Sequence, residues 1–199
     1  VVEMDFMNNN STPDRGTVNL ANGDVNALYE MPKGKFLGFA SDNNHTQTFN
    51  FSTTVVRKLN DKFKIRAAFM SSSDEQNNVG AALAPIKNQP FELRNRTLSK
   101  SEREDLNKVF QLDFIGQDVN TFGIKHTFQI GTDWKESNVT TTSFDAKNVD
   151  QINVLQSINN YLPTSFNSDF GKGTSVNTLT STLGLMVQDV ITFNKYVKA

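Results

Sequence analysis

The sequence predicts an all-β fold, an antiparallel transmembrane β-barrel segment of about six strands with long extracellular loops. Two observations predict it. Long segments alternate apolar and polar residues with a period of two, and the connections between these segments alternate between short and long. No run approaches about 18 apolar residues, so no transmembrane helix is expected. The mean hydropathy of -0.46 does not oppose a barrel, because alternating strands are only mildly apolar on average.

Charge and cysteine content exclude several functional classes. The chain of 199 residues carries 20 Lys and Arg against 21 Asp and Glu, which gives a formal net charge of -1. Because a dedicated nucleic-acid binder carries a basic patch, no nucleic acid is expected as a partner. Cysteine is absent, which excludes disulfides, thiolate metal sites and a cysteine nucleophile.

Both ends of the chain lie in alternating segments. Residues 1–7 alternate from the first position without a charged or apolar leader before them, so no targeting peptide is predicted. A new apolar alternation begins near residue 196. We therefore expect the chain to be an internal piece of a longer protein.

The clearest strand covers residues 122–134. Its apolar side consists of Phe122, Ile124, His126, Phe128, Ile130, Thr132 and Trp134, and its polar side of Gly123, Lys125, Thr127, Gln129, Gly131 and Asp133. An average strand of a soluble protein has about 5 to 6 residues, whereas a tilted membrane strand needs about 9 to 11. The length of this segment therefore favours a membrane strand.

Five further segments alternate in the same way. Their apolar sides consist of Val2, Met4 and Phe6; Phe49, Phe51, Thr53 and Val55; Phe63, Ile65, Ala67 and Phe69; Phe110, Leu112 and Phe114; and Leu183, Leu185 and Val187. If these sides face lipid, the opposite sides face the lumen. The predicted lumen-facing residues are Lys64, Arg66, Gln111, Asp113, Lys125, Gln129, Asp133 and Gln188. Asp189 falls on the lipid side, which is tolerable only at the periplasmic interface, where charge costs little.

The connections between the strands alternate in length. Short turns are predicted at residues 58–62, 116–121 and 194–195, and long loops at residues 8–44, 71–103 and 136–176. Outer-membrane barrels combine short periplasmic turns with long extracellular loops. This order predicts that the strand before each long loop rises toward the cell exterior.

The third long loop contains a helical pattern. Asn148 can act as an N-cap, and Pro163 can end a helix. Between them, apolar residues recur every three or four positions: Val149, Ile152, Leu155, Ile158 and Leu162. We predict a short amphipathic helix here.

The sequence contains no pattern for catalysis or for a resident metal. The two histidines, His45 and His126, lack a paired metal-ligand spacing, and no Gly-x-Ser-x-Gly nucleophile motif occurs. Residues 171–174 are interpreted as a flexible loop tip rather than a phosphate loop. Residues 42–44 could coordinate calcium, although a solvated loop is the favoured interpretation. We expect no enzyme activity, no metal and no cofactor.

Cationic and aromatic side chains occur together in the long loops. Such a mixture suits a site for an anionic, aromatic ligand, and packing between the loops is the alternative interpretation. The candidate ligand-binding residues are Arg94, Arg96, Tyr29, Phe36 and Tyr161, accompanied by Phe166 and Phe170.

Three stretches carry a resemblance to a known family. They are NSTPDRG at residues 10–16, QLDF at 111–114 followed by KHTFQIGTDW at 125–134, and LGLMVQDVIT at 183–192. In these stretches the chain resembles the barrel of TonB-dependent siderophore receptors, and the likeness extends over essentially the whole chain.

This resemblance implies part of a larger barrel and a transport function. Residues 1–199 would belong to the β-barrel domain, supplying about six of about 22 strands, whereas the plug domain, the TonB box and the remaining strands are absent from this chain. Such receptors lie in the outer membrane and import ferric siderophores without making or breaking a bond. The implied partners are a ferric siderophore, the TonB complex reached through the missing plug domain, and outer-membrane lipid.

Two other functions are open at this point. A passive porin would explain the alternation and the loops, but not the family-like stretches. A soluble all-β carbohydrate-binding or adhesin module would explain the alternation and the Asn-rich loops. It would not explain the length of the strands or the strict order of short and long connections.

Overall fold

The computed structural model describes residues 1–14 and 34–192, and these residues form an all-β structure. It has seven strands: β1 (Val2–Ser11), β2 (Asn43–Lys58), β3 (Phe63–Pro85), β4 (Leu93–Thr121), β5 (Ile124–Ser143), β6 (Lys147–Asn153) and β7 (Thr174–Thr192). Among the described residues, no helix is long and apolar enough to cross a membrane.

All seven strands belong to one antiparallel sheet. The strand order is β1-β2-β3-β4-β5-β7, and β6 pairs only with β4. Apart from β6, strands that follow one another along the chain are therefore neighbours, as in a simple meander. Within the described residues the sheet is open, with β1 and β7 at its edges. The predicted all-β, antiparallel fold is confirmed.

Short turns join the strands at one end of the sheet. The predicted turn at residues 58–62 is confirmed, and the Asn60 side chain closes it by accepting hydrogen bonds at 2.9 Å from the backbone N–H groups of Lys62 and Phe63. The turn predicted at residues 116–121 is wrong. Strand β4 continues to Thr121, and the turn consists only of Phe122 and Gly123, both with positive φ.

A β-bulge explains that error. The register between β4 and β5 shifts between Gly116 and Val119, so the polar residues between them stay inside the strand as extra residues. Asp118 has a φ of 49° there. Turn-forming residues in the sequence therefore marked a bulge rather than a strand end. The third predicted turn, at residues 194–195, lies outside the described residues.

The other end of the sheet differs from the predicted long loops. Residues 71–103 are mostly a β-hairpin, because β3 has 23 residues, β4 has 29, and only residues 86–92 connect them. Residues 136–176 likewise contain the end of β5 and all of β6. Polar Ser, Asn, Asp and Glu residues in these segments pair in register across the strands. Their side chains face water while the backbone satisfies its hydrogen bonds in the ladder.

The helix predicted between Asn148 and Pro163 is also wrong. Residues 147–153 form β6, which pairs with the part of β4 that extends beyond the end of β5. Ile152 and Val154 are buried and Leu155 is exposed, which is a strand period rather than a helical one. An unpaired edge of β4 offers backbone partners that local sequence cannot reveal, and pairing with it overrides the helical spacing.

The register of the ladder gives the sheet two distinct faces. Paired residues lie on the same side, and the alternating segments are aligned so that their apolar sides coincide on all six long strands. This apolar band consists of Val2, Met4 and Phe6; Phe49, Phe51, Thr53 and Val55; Phe63, Ile65, Ala67 and Phe69; Phe110, Leu112 and Phe114; Phe128, Ile130, Thr132 and Trp134; and Leu183, Leu185 and Val187.

The buried core lies elsewhere, in a cap at the end of the sheet with the longer connections. We define the cap as residues 34–42, 79–98 and 144–173. Its core contains Phe39, Ala81 and Leu98, with Leu37, Ile152 and Val154 in an adjoining cluster. Ala81 and Leu98 have the same parity as Phe69 and Phe110, and the register between β3 and β4 has no shift. The cap therefore packs on the same face of the sheet as the apolar band.

Candidate functional site

The apolar band is uncovered. Its large side chains are exposed or half-buried, with Leu185 at 83% and Val187 at 77%. Transferring a large aliphatic or aromatic side chain from water to an apolar environment contributes about 1.5 to 3 kcal/mol, so a continuous surface of this kind is unfavourable in water. An apolar phase or an apolar partner must cover it.

Aromatic side chains mark both limits of the band. Near the short turns, the rings of Phe63, Phe114 and Phe128 form a cluster with centroid distances of 5.5 to 6.4 Å. Toward the cap, Phe51 and Phe69 lie 6.3 Å apart. The row between them contains the aliphatic residues Ala67, Leu112 and Leu185. Aromatic girdles around an aliphatic centre are typical of a sheet that crosses a bilayer.

A glycine makes room for the aromatic cluster near the short turns. Gly116 is the cross-strand partner of Phe128. A Cβ built on Gly116 would lie 2.5 Å from Cε1 of the Phe128 ring, so the ring covers the backbone of this glycine. Only the absence of a side chain at this position lets the ring lie flat and reach Phe63 and Phe114.

The opposite face of the sheet is polar. The register places all eight predicted lumen-facing residues on this face, although whether it lines a lumen stays a prediction. Asp113 is the most buried of these eight residues, with only 1% exposure. Its carboxylate accepts hydrogen bonds from Arg66 Nε at 2.9 Å and from Gln111 Nε2 at 3.3 Å. Pairing with the guanidinium compensates for the loss of water around the buried charge.

Two aspartates on the polar face lie over glycines. Asp113 is paired with Gly131, and Asp133 is paired with Gly184. A Cβ on either glycine would overlap the facing carboxylate. The two pairs differ in exposure, because Asp113 is buried whereas Asp133 is exposed. The glycines thus let each carboxylate lie against the backbone of the neighbouring strand.

Asp189, the exception in the alternation, has a partner. His126 Nδ1 lies 2.7 Å from Asp189 Oδ2, and both side chains are on the face of the apolar band. Phe128 pairs with Asp189 across the strands, so the His–Asp pair adjoins the aromatic cluster near the short turns. Asp189, the charged residue that interrupts the apolar alternation, therefore lies at the margin of the band. It is bound there to His126, the other polar side chain among the apolar residues of that face.

The four predicted ligand-binding residues that the structure describes all lie in the cap. Arg96 is completely buried, and its guanidinium binds both carboxylate oxygens of Asp150, at 2.9 and 2.5 Å. It also donates to the backbone carbonyls of Leu37, Gly38 and Asn159, and it lies 4.0 Å over the ring of Phe39. All three guanidinium nitrogens of Arg96 are thus bound to protein. Arg96 joins its own strand, β4, to β6, to the segment before β2 that contains Leu37 and Gly38, and to the segment after β6 that contains Asn159.

The other candidates differ in exposure. Arg94 is only 5% exposed, with its guanidinium 6.0 Å from the ring of Phe91. Phe36 is half-buried, and Tyr161 is 72% exposed. Tyr29 lies outside the described residues. The structure thus brings all four described candidates into one cap, and among them only Tyr161 offers a freely accessible side chain.

Parity separates these residues from the polar face. Arg94 and Arg96 occupy even positions of β4, whereas Gln111 and Asp113 occupy odd ones, and the register with β3 is continuous between them. The candidate ligand-binding arginines and the predicted lumen residues therefore lie on opposite faces of one sheet. Their role in ligand binding stays a prediction.

Asp42 has a structural role rather than that of a solvated loop residue. It is buried, and its Oδ2 accepts hydrogen bonds at 3.0 Å from the backbone N–H groups of Phe39 and Ala81. Asn160 holds the same segment from the other side, donating to the carbonyls of Phe36 and Gly38. Sequence reasoning missed Asn160, because nothing local indicates which strand these segments contact.

The cap also contains an open cavity of about 480 Å³. Phe144, Phe170 and Leu162 line it, together with Lys100, Ser168 and Asp169. The rings of Phe144 and Phe170 meet edge to face at 6.2 Å, and Lys100 Nζ lies 4.5 Å over the Phe144 ring. Among the described residues, no group of three or more His, Asp or Glu side chains could hold a metal ion.

Comparisons with known proteins give a likeness of fold. No protein-family model and no curated protein matches the sequence. The ferric-catecholate import receptor Fiu of E. coli K12 matches in its closed form with a TM-score of 0.66 and 17% identity, over 98% of this chain and 30% of that chain. Its open form matches with a TM-score of 0.69 and 16% identity, over 98% and 32%.

A second receptor matches similarly. BauA, the ferric preacinetobactin receptor of Acinetobacter baumannii, has a TM-score of 0.64 and 16% identity, over 80% of this chain and 24% of that chain. The chain thus spans at most about a third of the length of these structures. At this identity the likeness concerns the fold, an antiparallel sheet similar to the barrel of ferric siderophore receptors.

Proposed function

We propose that this chain forms part of the wall of an outer-membrane receptor that imports ferric siderophores with energy from TonB. The observation that carries the proposal is the apolar band, which is aligned across six strands, exposed and limited by aromatic clusters. A bilayer is the apolar phase that such a band fits. The likeness to Fiu and BauA supports the siderophore as cargo.

The polar face supports the same proposal. On a barrel wall it would face a plug domain or water, and charged side chains would be tolerated there. The ion pair of Arg66 with the buried Asp113 is an arrangement suited to a water-poor polar interior. Transport requires no catalytic group, so we propose no enzyme activity for the chain.

The membrane part of the proposal can be tested with the full-length protein. Phe128 belongs to the apolar band and Gln129, its neighbour, to the polar face. Single cysteines at these two positions, each carrying a fluorophore, are reconstituted into vesicles with brominated lipid. We expect strong quenching at position 128 and little at position 129. Equal quenching at the two positions would contradict a membrane wall.

The transport part needs a separate measurement. Cells that lack the gene and cells that carry it are given a radioactive ferric catecholate under iron limitation. We expect uptake only with the gene, and we expect it to stop when a protonophore removes the energy source of TonB. Uptake insensitive to the protonophore would favour a passive porin, the second candidate.

A soluble carbohydrate-binding or adhesin module is the third candidate, and the fluorophore experiment addresses it. Such a protein would leave both positions unquenched because it would not enter the vesicles. The exposed apolar band disfavours it, since a soluble sheet buries that face against another layer.

A further inference from the structure

We propose that the cap cavity lined by Phe144, Phe170 and Asp169 binds a neutral saccharide ring. The inference goes beyond the proposed transport function, because it concerns a site on the face of the sheet opposite to the predicted lumen. It stands on the geometry of the cap alone. The proposed function enters only in the question of where the saccharide comes from.

The cavity has the size and the walls of a small-ligand site. Its volume of about 480 Å³ lies within the range of about 300 to 1,000 Å³ that is common for ligand pockets. The floor is apolar, formed by Val79, Leu98 and Leu162. Leu98 is also part of the buried cluster around Phe39, which fixes the floor to the core of the cap. The two phenylalanine rings form a wall.

Hydrogen bonds fix the shape of the rim. Lys147 Nζ donates to the backbone carbonyls of Asn167 and Asp169, and it lies 5.6 Å from the Phe170 ring. The Asp169 carboxylate accepts a hydrogen bond from the backbone N–H of Gly171 at 2.9 Å. The segment that carries Asp169 and Phe170 is therefore held in place before a ligand arrives, which reduces the entropic cost of binding.

The polar groups at the rim match hydroxyl groups. Ser41 and Ser168 both donate and accept hydrogen bonds, and the Asp169 carboxylate only accepts them. A saccharide ring combines an apolar C–H face, which packs on an aromatic ring, with hydroxyl groups at its edge. The cavity offers both kinds of partner side by side.

Charge at the rim disfavours an anion. The Lys100 ammonium group is already compensated, since it lies 2.8 Å from the Glu102 carboxylate. The Lys147 ammonium group near the Phe170 ring is bound to the backbone carbonyls of Asn167 and Asp169, and Asp169 adds a negative charge to the lining. An anionic aromatic ligand would therefore meet two cations that already have partners and an acidic side chain, whereas a neutral polyhydroxylated ring avoids the repulsion from Asp169.

The position of the cavity makes two sources possible for the saccharide. Val79 lies ten residues beyond Phe69 along β3, on the same face. That separation is about 34 Å along the strand and about 24 Å in height at a tilt of about 45°. If the proposed function holds, the cavity opens outside the barrel and above the bilayer. It could then receive either the head group of a glycolipid or a free saccharide.

Saturation-transfer NMR on the full-length protein tests the proposal, with a detergent that has no sugar head group. The probes are the methyl glycosides of glucose, galactose, mannose and N-acetylglucosamine. We expect saturation transfer to the ring protons of at least one of them. The variant Phe170→Leu, which keeps an apolar side chain but removes the ring, should weaken that affinity at least fivefold. Phe91→Leu, in the loop at residues 86–92, is the matched control and should leave it unchanged.

A second variant distinguishes a neutral ligand from an anion. Asp169→Asn keeps the acceptor for Gly171 and removes the charge. We expect several-fold weaker binding of the glycoside, and we expect any binding of 2,3-dihydroxybenzoate, at the proposed siderophore site, to be the same in both forms. Transfer to none of the four glycosides, an unchanged affinity in Phe170→Leu, or binding of the benzoate that strengthens in Asp169→Asn would each overturn the proposal.

The two sources are separated in lipid nanodiscs. A glycolipid carrying the bound sugar is added to phosphatidylcholine nanodiscs that contain the protein. Loss of the free-glycoside signal identifies the lipid head group as the ligand, and an unchanged signal identifies a free saccharide. Failure of the protein to enter the nanodiscs would count against the membrane proposal only, because the detergent measurement examines the cavity separately.

Discussion

The two ends of the sheet use the same face in different ways. Near the short turns the apolar side chains of that face are exposed, as Leu185 and Val187 are, and they require an apolar surrounding. At the other end, Ala81 and Leu98 have the same orientation but are buried, because the cap covers them. A protein-built core thus replaces an external apolar phase along the length of the same strands.

The cap and the apolar band obtain their stability from different surroundings. The cap is stabilised by its own contacts, with Arg96 and Asp42 holding its segments together. The band has cross-strand pairs and ring clusters, but its outer surface has no protein cover in the described residues. Changes in the cap should therefore act through packing, whereas changes in the band should depend on the apolar phase that covers it, which is lipid under the proposed function.

The largest expected effect is in the cap, at the Arg96–Asp150 ion pair. The variant Asp150→Leu leaves the buried Arg96 guanidinium without its carboxylate, which should destabilise the cap by about 3 to 5 kcal/mol. Hydrogen exchange of residues 34–42 and 147–159 in the full-length protein measures this. The reciprocal variant Arg96→Met should cost less, because the Asp150 side chain is 31% exposed and can be solvated.

A double variant and a distant segment serve as controls for this prediction. Combining Arg96→Met with Asp150→Leu removes both charges and should recover much of the lost protection. Exchange in residues 110–134 of the band should not change. Equal effects of the two single variants would mean that burial of the arginine is not the cause.

The next largest effect is expected in the band. Arginine on the lipid face at the middle of the bilayer costs about 2 to 4 kcal/mol, whereas lumen positions tolerate charge. Phe128→Arg should therefore impair assembly of the full-length protein much more than Gln129→Arg. The fraction of heat-modifiable, folded protein on a gel measures assembly. If both variants assembled equally, the prediction that the Phe128 face of β5 contacts lipid and the Gln129 face does not would be contradicted.

A smaller effect is expected on the polar face, where two glycine variants form a matched pair. In Gly131→Ala, the new methyl group overlaps the Asp113 carboxylate, which is buried and held by Arg66. This should cost about 1 to 3 kcal/mol, as overpacking does. In Gly184→Ala, the exposed Asp133 can rotate into solvent, so the cost should be below about 1 kcal/mol.

Chemical denaturation in detergent measures these two costs. Adding Asp113→Ala to Gly131→Ala removes the overlap, and the pair of changes should then show a positive coupling in a double-mutant cycle. An equal loss of stability in the two glycine variants would indicate that the strands themselves, rather than the carboxylates, require glycine.

The smallest effect is expected at the His126–Asp189 pair. Both side chains are partly exposed at the margin of the band, and such pairs contribute about 0 to 1 kcal/mol. His126→Gln should therefore leave assembly nearly unchanged. The same heat-modifiability assay measures it, with Phe128→Arg as the sensitive reference. A loss as large as that of the reference would place this pair deep in the bilayer.

The predictability of the fold followed the periodicity of the sequence. The period-two alternation at residues 124–134 and in the other band segments identified strands correctly, because one face of each must be apolar, whereas Phe122 and Gly123, predicted as the start of the strand at 122–134, form the turn before it. The polar extensions of β3 and β4 carry no such contrast, so they were predicted as loop. Their strand structure comes from pairing with each other, since backbone hydrogen bonds do not depend on the side chains.

The candidate site was less predictable. Arg94 and Arg96 were selected as cations in loops, but they lie in β4, and Arg96 is buried against Asp150, which is 54 residues away in sequence. Neither this contact nor the bonds of Asn160 to Phe36 and Gly38 has a local signal. The helical spacing from Val149 to Leu162 was similarly misleading, because the free edge of β4 decided the structure there.

By itself, the sequence determined the fold class and which side chains of each band strand share a face, because alternation with a period of two is a local property. The tertiary structure alone decided that these faces coincide on six strands, that Asp189 meets His126, and that the cap covers one end of the same face. The physical reason is register: a shift of one residue would turn a strand's apolar side to the other face, and only pairing between strands fixes that choice.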